Sequence, residues 1–211
     1  MADDGQSKGE IFIVDDDPSV RDALAAVFTL AGYHVTSFGE GASFLAAARS
    51  RVPACILLDV QMPGRSGLDI LKELNAQDYE APIFIISGQG DIPMAVDAIK
   101  NGALDFIEKP FDAKSVVHRV GEAIAAWERR RDGGTLADIL AIQFPGRDLL
   151  TPREGEVLAQ ITSGASNKEA GRVLGISPRT VEVHRARIME KLGAKNAADL
   201  VRIVLSEGRG H

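Results

Sequence analysis

Three consecutive carboxylates, Asp15, Asp16 and Asp17, close the apolar run of "IFIVDDDPSV". A fourth, Asp59, closes "ACILLD", a hydroxyl, Ser87, closes "PIFIIS", and an ammonium, Lys109, follows "DFIE". Adjacent like charges repel, and a carboxylate resists leaving water without a partner. If the ends of these runs meet, a hard divalent cation among the acids relieves the repulsion. Mg2+ suits that place, because it takes a few carboxylate and carbonyl oxygens and keeps water elsewhere. Ser87 and Lys109 then face an anion that shares the cation, and a phosphoryl group is the natural candidate.

The elements that must deliver these residues alternate between short apolar runs and amphipathic segments of helix length. "IFIV" precedes a helical stretch beginning at Pro18, which suits the first position behind an Asp17 cap. "HVTSF" precedes 40–50, "ACILLD" precedes 66–76, "PIFIIS" precedes 92–101 and "DFIE" precedes 112–130. Five strand–helix pairs with central strands apolar throughout predict an α/β fold, a parallel sheet with helices on both faces. The doubly wound, flavodoxin-like form with strand order 2-1-3-4-5 is expected, and its sites lie beyond the carboxyl ends of the strands. That is where Asp15, Asp16, Asp59, Ser87 and Lys109 fall. "MPGRSG" reads as a turn in which Gly64 and Gly67 allow unusual dihedrals.

Composition narrows the class. The 211 residues are 45% hydrophobic and 5% aromatic, which suits an aliphatic core. No apolar run approaches the roughly 20 residues of a membrane span. The opening residues lack the apolar stretch of a secretion signal, so a cytoplasmic location is expected. The single cysteine, Cys55, excludes an internal disulfide or a multi-cysteine zinc site and reads as a small buried side chain. Residues 1–127 carry 10 Lys/Arg against 19 Asp/Glu, whereas 151–211 carry 10 against 7. An acidic front and a basic tail point to different partners, cations for the first and polyanions for the second.

Residues 10–130 resemble the receiver domain of bacterial two-component response regulators, through "VDDDPSVR", "LLDVQMPGRSG", "IISGQGD" and "DFIEKPF". The resemblance implies that Asp59 is the phosphoacceptor, phosphorylated from the phosphohistidine of a cognate histidine kinase. It implies that Asp16 binds Mg2+ directly, Asp15 through water and Gln61 through its backbone carbonyl. Ser87 and Lys109 would contact the phosphoryl oxygens, with a cis Lys109–Pro110 bond orienting the lysine. Such a receiver phosphorylates and dephosphorylates itself and is not a turnover enzyme. Ser87 and Phe106 occupy the places of the family's switch pair. "SGQGDIPMAVDAIKNGALDFIEKPF" is similar to the FixJ branch, whose fourth helix, fifth strand and fifth helix form a phosphorylation-dependent dimer surface. Val96, Lys100 and Asp105 are the candidates on that face.

The basic tail reads as four helices. Thr151-Pro152 starts the first, with Glu154 in its first turn to complement the dipole. Asn167 is the expected cap of the second. After the tight turn "GIS", Ser177 caps the third and Pro178 opens it, so that a small all-α helix-turn-helix domain is predicted. At 100° per residue, Val181, Ile188 and Leu192 share one face, flanked by His184, Arg185 and Met189. Arg179, Glu182, Val183, Ala186, Arg187 and Glu190 lie opposite, free to enter a major groove. Ala186 allows close approach, Glu182 can accept from a cytosine amino group, and Val183 can touch a thymine methyl. Arg179 and Arg187 suit phosphates, with Lys168, Lys191 and Lys195 at the rim and Thr180 a further DNA candidate. Residues 149–206 resemble the LuxR-type DNA-binding domain, through "LTPREGEVL" and "NKEAGRVLGISPRTVEVHRARIMEKL". In that family the last helix carries a dimer contact, which Ala197, Leu200, Val201 and Val204 could supply.

The expected organisation is a tail over 1–9, a receiver over 10–127, a linker over 128–148 (a helical extension, then a hinge at "RRRDGG") and a DNA-binding domain over 149–211. The expected function is that of a response regulator and transcription factor. Its partners would be the kinase, double-stranded DNA and, on phosphorylation, a second copy of the chain; no membrane is involved. A pseudo-receiver controlled by a non-phosphate input is the alternative. Activation by dimerisation and activation by release of an inhibited DNA-binding domain both stay open at this point.

Overall fold

The structure is a computed structural model that describes residues 7–88, 92–131 and 146–205. The chain divides into two compact units at Ile124/Ala125. Within the linker expected over 128–148, residues 132–145 lie outside the described residues, as do 1–6 of the expected tail and 89–91 of "SGQGD".

In the first unit five strands alternate with helices: β1 (Glu10–Val14), α1 (Pro18–Leu30), β2 (His34–Phe38), α2 (Gly41–Ser50), β3 (Cys55–Asp59), α3 (Gly67–Leu74), β4 (Ile83–Ser87), α4 (Ile92–Lys100), β5 (Asp105–Glu108) and α5 (Ala113–Arg131), whose last residues run past the division. All neighbouring strands pair in parallel, in the order β2-β1-β3-β4-β5. The central strands are sealed on both faces, with Ile11–Val14, Cys55–Leu58 and Ile83–Ile86 buried, as a helix-covered parallel sheet requires. Phe12 meets Phe38 and Phe44 edge-on, at centroid distances of 5.1 and 6.4 Å, and ties β2 and α2 to the sheet.

Local chemistry sets the ends of the helices that flank the site. The Asp17 side chain accepts from the Ser19 N–H at the start of α1, with Pro18 in the first turn. Ser66 and Asp69 form a capping box on α3, and Asn75 closes that helix in the left-handed region at φ 51°. Of the two glycines in "MPGRSG", Gly64 adopts a positive φ of 83°. Gly67 is required for a different reason from the one its turn suggested. A Cβ there would sit 2.4 Å from the Asp59 carbonyl oxygen and 2.9 Å from the Val60 Cα, so only glycine lets α3 start directly behind the β3 terminus.

In the second unit a 3-10 turn (Arg147–Leu149) precedes four helices, α6 (Pro152–Thr162), α7 (Asn167–Leu174), α8 (Pro178–Leu192) and α9 (Ala197–Leu205). Thr151 and Glu154 form a capping box on α6, and Ser177 caps α8. The cap of α7 is Ser166, one residue before the expected Asn167, because Ser166 forms a reciprocal box with Glu169 that Asn167 has no partner to make. Gly175 ends α7 at φ 67°. Gly171 lets the two helices of the motif close together, since a Cβ on it would lie 2.6 Å from the Ile176 carbonyl oxygen. The core is formed by Val157, Leu158, Ile161, Leu174, Val181 and Ile188 with Leu200 and Val204 from α9. Leu200 and Val204 therefore pack within their own unit, which corrects their expected place on a dimer contact. Val201 is half-buried.

Candidate functional site

The parallel register delivers Asp15, Asp59, Ser87 and Lys109 to one edge of the sheet, where Asp59 pairs with Ile86 and Ser87 with Glu108. The Lys109 backbone N–H donates to the Ser87 carbonyl at 2.7 Å, and the Lys109–Pro110 bond is cis. The lysine ammonium stands between two acids, with Nζ 2.9 Å from Asp15 Oδ2 and 2.8 Å from Asp59 Oδ1. Asp15 is fully buried, and Asp59 and Ser87 are 4% and 3% exposed. Burial pushes the Asp59 carboxyl above its ordinary range, and the Asp15 charge adds to this against hydrogen bonds from Lys109 and the Gln61 N–H. Burial also works against the Lys109 ammonium, but its hydrogen bonds to Asp59 and Asp15 prevail and raise its pKa.

Asp16 and Gln61 lie exposed beside this pocket. Among the described residues, no group of three or more His, Cys, Asp or Glu side chains is gathered closely enough to hold a metal ion. Two buried acids meet, with Lys109 as their shared counter-ion, and the third stands at the rim. The donor set still fits a hard divalent cation. Every donor is an oxygen, the buried acids outnumber the ammonium, and Asp16 is adjacent to Asp15 on the same loop.

Sequence reading missed Arg21. Its Nη1 donates to the carbonyls of Asp15 and Asp16, at 2.7 and 2.9 Å, and fixes the loop that bears both acids. The signal was its position one turn into α1, since helical side chains lean toward the N-terminus and reach back over the preceding loop. Arg119 on α5 was also missed; its Nη2 donates to Asp105 Oδ2 and to the Phe106 carbonyl, both at 2.8 Å. Asp105 is 1% exposed, so its expected place on an open dimer face is corrected, its carboxylate being taken by Arg119. Phe106 and Val96 are half-buried, and Lys100 is exposed with Nζ 3.8 Å from Asp97.

On α8 the structure exposes Arg179, Glu182, Ala186 and Glu190, leaves Val183 and Arg187 half-buried, and buries Thr180, Val181, His184 and Ile188. Glu182 accepts from Asn167 Nδ2 at 3.3 Å, and Arg185 donates to Asn167 Oδ1 at 3.1 Å. Thr180 is corrected as a DNA candidate, because its hydroxyl lies buried 2.9 Å from Ser177 Oγ at the helix cap. Lys168 and Lys195 are exposed. Arg187 and Lys191 instead approach the buried Glu154 carboxylate, with Arg187 Nε 3.6 Å from Oε1 and Lys191 Nζ 2.7 Å from Oε2. The T-x-x-E spacing of 151–154 signals that Glu154 turns back to its own cap; its burial under α8 has no such signal.

Residues 11–121 match the response regulator receiver domain family, and residues 148–204 match the family of bacterial regulatory proteins of the luxR type. The chain belongs to the two-component response regulators, with a receiver followed by a LuxR-type DNA-binding domain. It is similar to the transcriptional regulatory protein FixJ of Bradyrhizobium diazoefficiens, with 39% identity over 202 residues, 96% of this chain and 97% of that protein. The C4-dicarboxylate transport transcriptional regulatory protein DctR of Rhodobacter capsulatus is 40% identical over 195 residues, 92% of this chain and 98% of that one. Full-length FixJ from B. japonicum, solved by crystallography, matches with a TM-score of 0.59 and 39% identity over 98% of this chain and 100% of that chain. Among the described residues, no helix is long and apolar enough to cross a membrane.

Proposed function

We propose that the chain is a phosphorylation-controlled transcription factor of the cytoplasm: Asp59 accepts a phosphoryl group from a cognate histidine kinase with Mg2+, and the phosphorylated chain binds DNA as a dimer. The receiver spans 10–127 and the DNA-binding domain 149–211, joined through 128–148. The observation that carries this reading is the Lys109 ammonium bridging Asp15 and Asp59 at the carboxyl edge of the sheet. Held by Asp15, Asp16, Asp59 and the Gln61 carbonyl, Mg2+ would neutralise charge on the transferring oxygens. An Asp59 oxygen bonds phosphorus as the phosphorus–nitrogen bond of the donor breaks. Arg21 keeps the acid loop in place throughout, so the geometry is set before the donor arrives.

With the phosphoryl group in place, Lys109 turns part of its charge to the new oxygens and Ser87 donates to one of them. The Ser87 movement opens space for Phe106, whose strand is fixed to α5 by Arg119. Val96 and Lys100 then contribute to the dimer surface. Through Arg179, Glu182, Val183 and Ala186, α8 reads the major groove. Intact mass after incubation with acetyl phosphate and Mg2+ tests the chemistry. A gain of one phosphoryl group, lost with a chelator and in Asp59→Asn, is expected; no gain by a folded chain would leave a pseudo-receiver under another input.

A further inference from the structure

Glu154 is a charged side chain with no exposure, placed under the recognition helix. Its Oε2 accepts from the Thr151 N–H at 2.8 Å and from Lys191 Nζ at 2.7 Å, and its Oε1 faces Arg187 Nε at 3.6 Å. Burial opposes its charge, yet the Lys191 hydrogen bond and the Thr151 N–H outweigh it and hold the carboxyl below its ordinary value. Around it the environment is already cationic. Arg153 donates to Glu156 and, at 2.9 Å, to the Leu174 carbonyl, and the neighbouring His184 ring is buried with neither nitrogen hydrogen-bonded. Lys191 and Arg187 sit one turn apart on α8, so both of their contacts to a single point on α6 resist rotation of α8 about its own axis.

We propose that Glu154 is the positioning residue of the DNA-binding domain: it withdraws Arg187 and Lys191 from the phosphate-contacting set and uses them to fix the rotational setting of α8 in the groove. This rests on the reading of α8 as the groove-facing helix. A cation that neutralises a phosphate releases counter-ions and steepens the salt dependence of binding by about 0.9 per contact. A cation spent on an internal carboxylate releases none. Its loss lowers the preference for the right sequence, because a rotated helix misplaces the side chains that read base edges.

The test uses the full chain, a duplex enriched by the wild-type protein from a randomised library, and calf-thymus DNA as the non-specific probe. The informative variant is Glu154→Gln with Lys191→Gln, in which neither charge is buried alone and the cap keeps a side-chain acceptor; circular dichroism confirms its fold. Glu154→Gln with Arg187→Gln is the parallel variant. The salt slope and the non-specific affinity should stay at wild-type values, while affinity for the enriched duplex falls by about tenfold, the cost of a single mismatched base pair. A slope reduced by about 1, with both affinities lower, would make Lys191 or Arg187 a phosphate contact and overturn the proposal. Unchanged affinity for both probes would make the cluster purely structural and overturn it as well. If the wild-type chain enriches no duplex, the groove-facing reading of α8 falls and the proposal falls with it.

Discussion

The two units each bury carboxylate next to lysine, with opposite charge balance. In the receiver one ammonium serves two acids, Asp15 and Asp59. In the DNA-binding domain two cations, Lys191 and Arg187, serve one acid, Glu154. The first arrangement has more negative than positive charge, and burial with the Asp15 charge raises the Asp59 pKa. In the second the cations outnumber the acid, and against burial the Lys191 hydrogen bond and the Thr151 N–H lower the Glu154 pKa, although its Oε1 accepts no hydrogen bond. A buried charge supports structure when its counter-charges are all internal; it is available for chemistry when one of them must come from outside.

The contrast can be broken most directly at the acids. Glu154→Ala strands Lys191 and removes half of a capping box, and should cost about 3 kcal/mol in denaturant unfolding of the second unit. Next in size is the pH response of that unit. Burial and the Arg153 charge push the His184 imidazole from 6.5 down to about 3. Between those values the unfolded chain binds more protons than the folded one, so stability falls as the pH drops from 6.5 toward 3. Glu154 adds to the fall only below its ordinary 4.5, as its contribution is lost on protonation. Thermal midpoints of the α8 amide signals against pH check this, and His184→Leu should flatten the upper part of the curve.

Gly67→Ala sharpens the receiver side, since the added Cβ meets the Asp59 carbonyl at 2.4 Å. Relief requires the α3 start to shift, which should cost about 2 kcal/mol and slow phosphorylation by acetyl phosphate. Smallest of all is the effect of Asp59→Asn on stability. It removes a carboxylate that burial disfavours and leaves Lys109 its bond to Asp15, so the unfolding free energy should stay within about 1 kcal/mol of wild type. A large loss there would mean that Asp59, like Glu154, is a structural charge.

The receiver was legible because its information lies in periodicity. Apolar runs at strand length and amphipathic runs at helix length give the parallel sheet, the doubly wound form supplies its order, and the rule of carboxyl ends then collects Asp15, Asp59, Ser87 and Lys109. The difficulties came from side-chain direction and pairing across elements. Asp105 was placed on an open face because strand alternation does not reveal that Arg119, fourteen residues on, covers it. For Arg187 and Lys191 a helical wheel sorts residues by angle and does not show that both side chains approach the buried Glu154 carboxylate of α6. Thr180 failed because at the third position of α8 its N–H donates to the capping Ser177 Oγ and its buried hydroxyl pairs with that same oxygen. Asp16 follows Asp15 directly, yet it is exposed where Asp15 is buried, a difference that adjacency in sequence does not reveal.

The measurement that bears most directly on the two-unit switch is the affinity of the full chain for its enriched duplex before and after loading with acetyl phosphate and Mg2+, beside Asp59→Asn. Dimer binding to paired half-sites should raise the apparent affinity by about a hundredfold on loading, with no change in the Asp59→Asn chain. Equal affinity in a chain shown by mass to carry the phosphoryl group would contradict the coupling of the receiver pocket to the DNA-binding face.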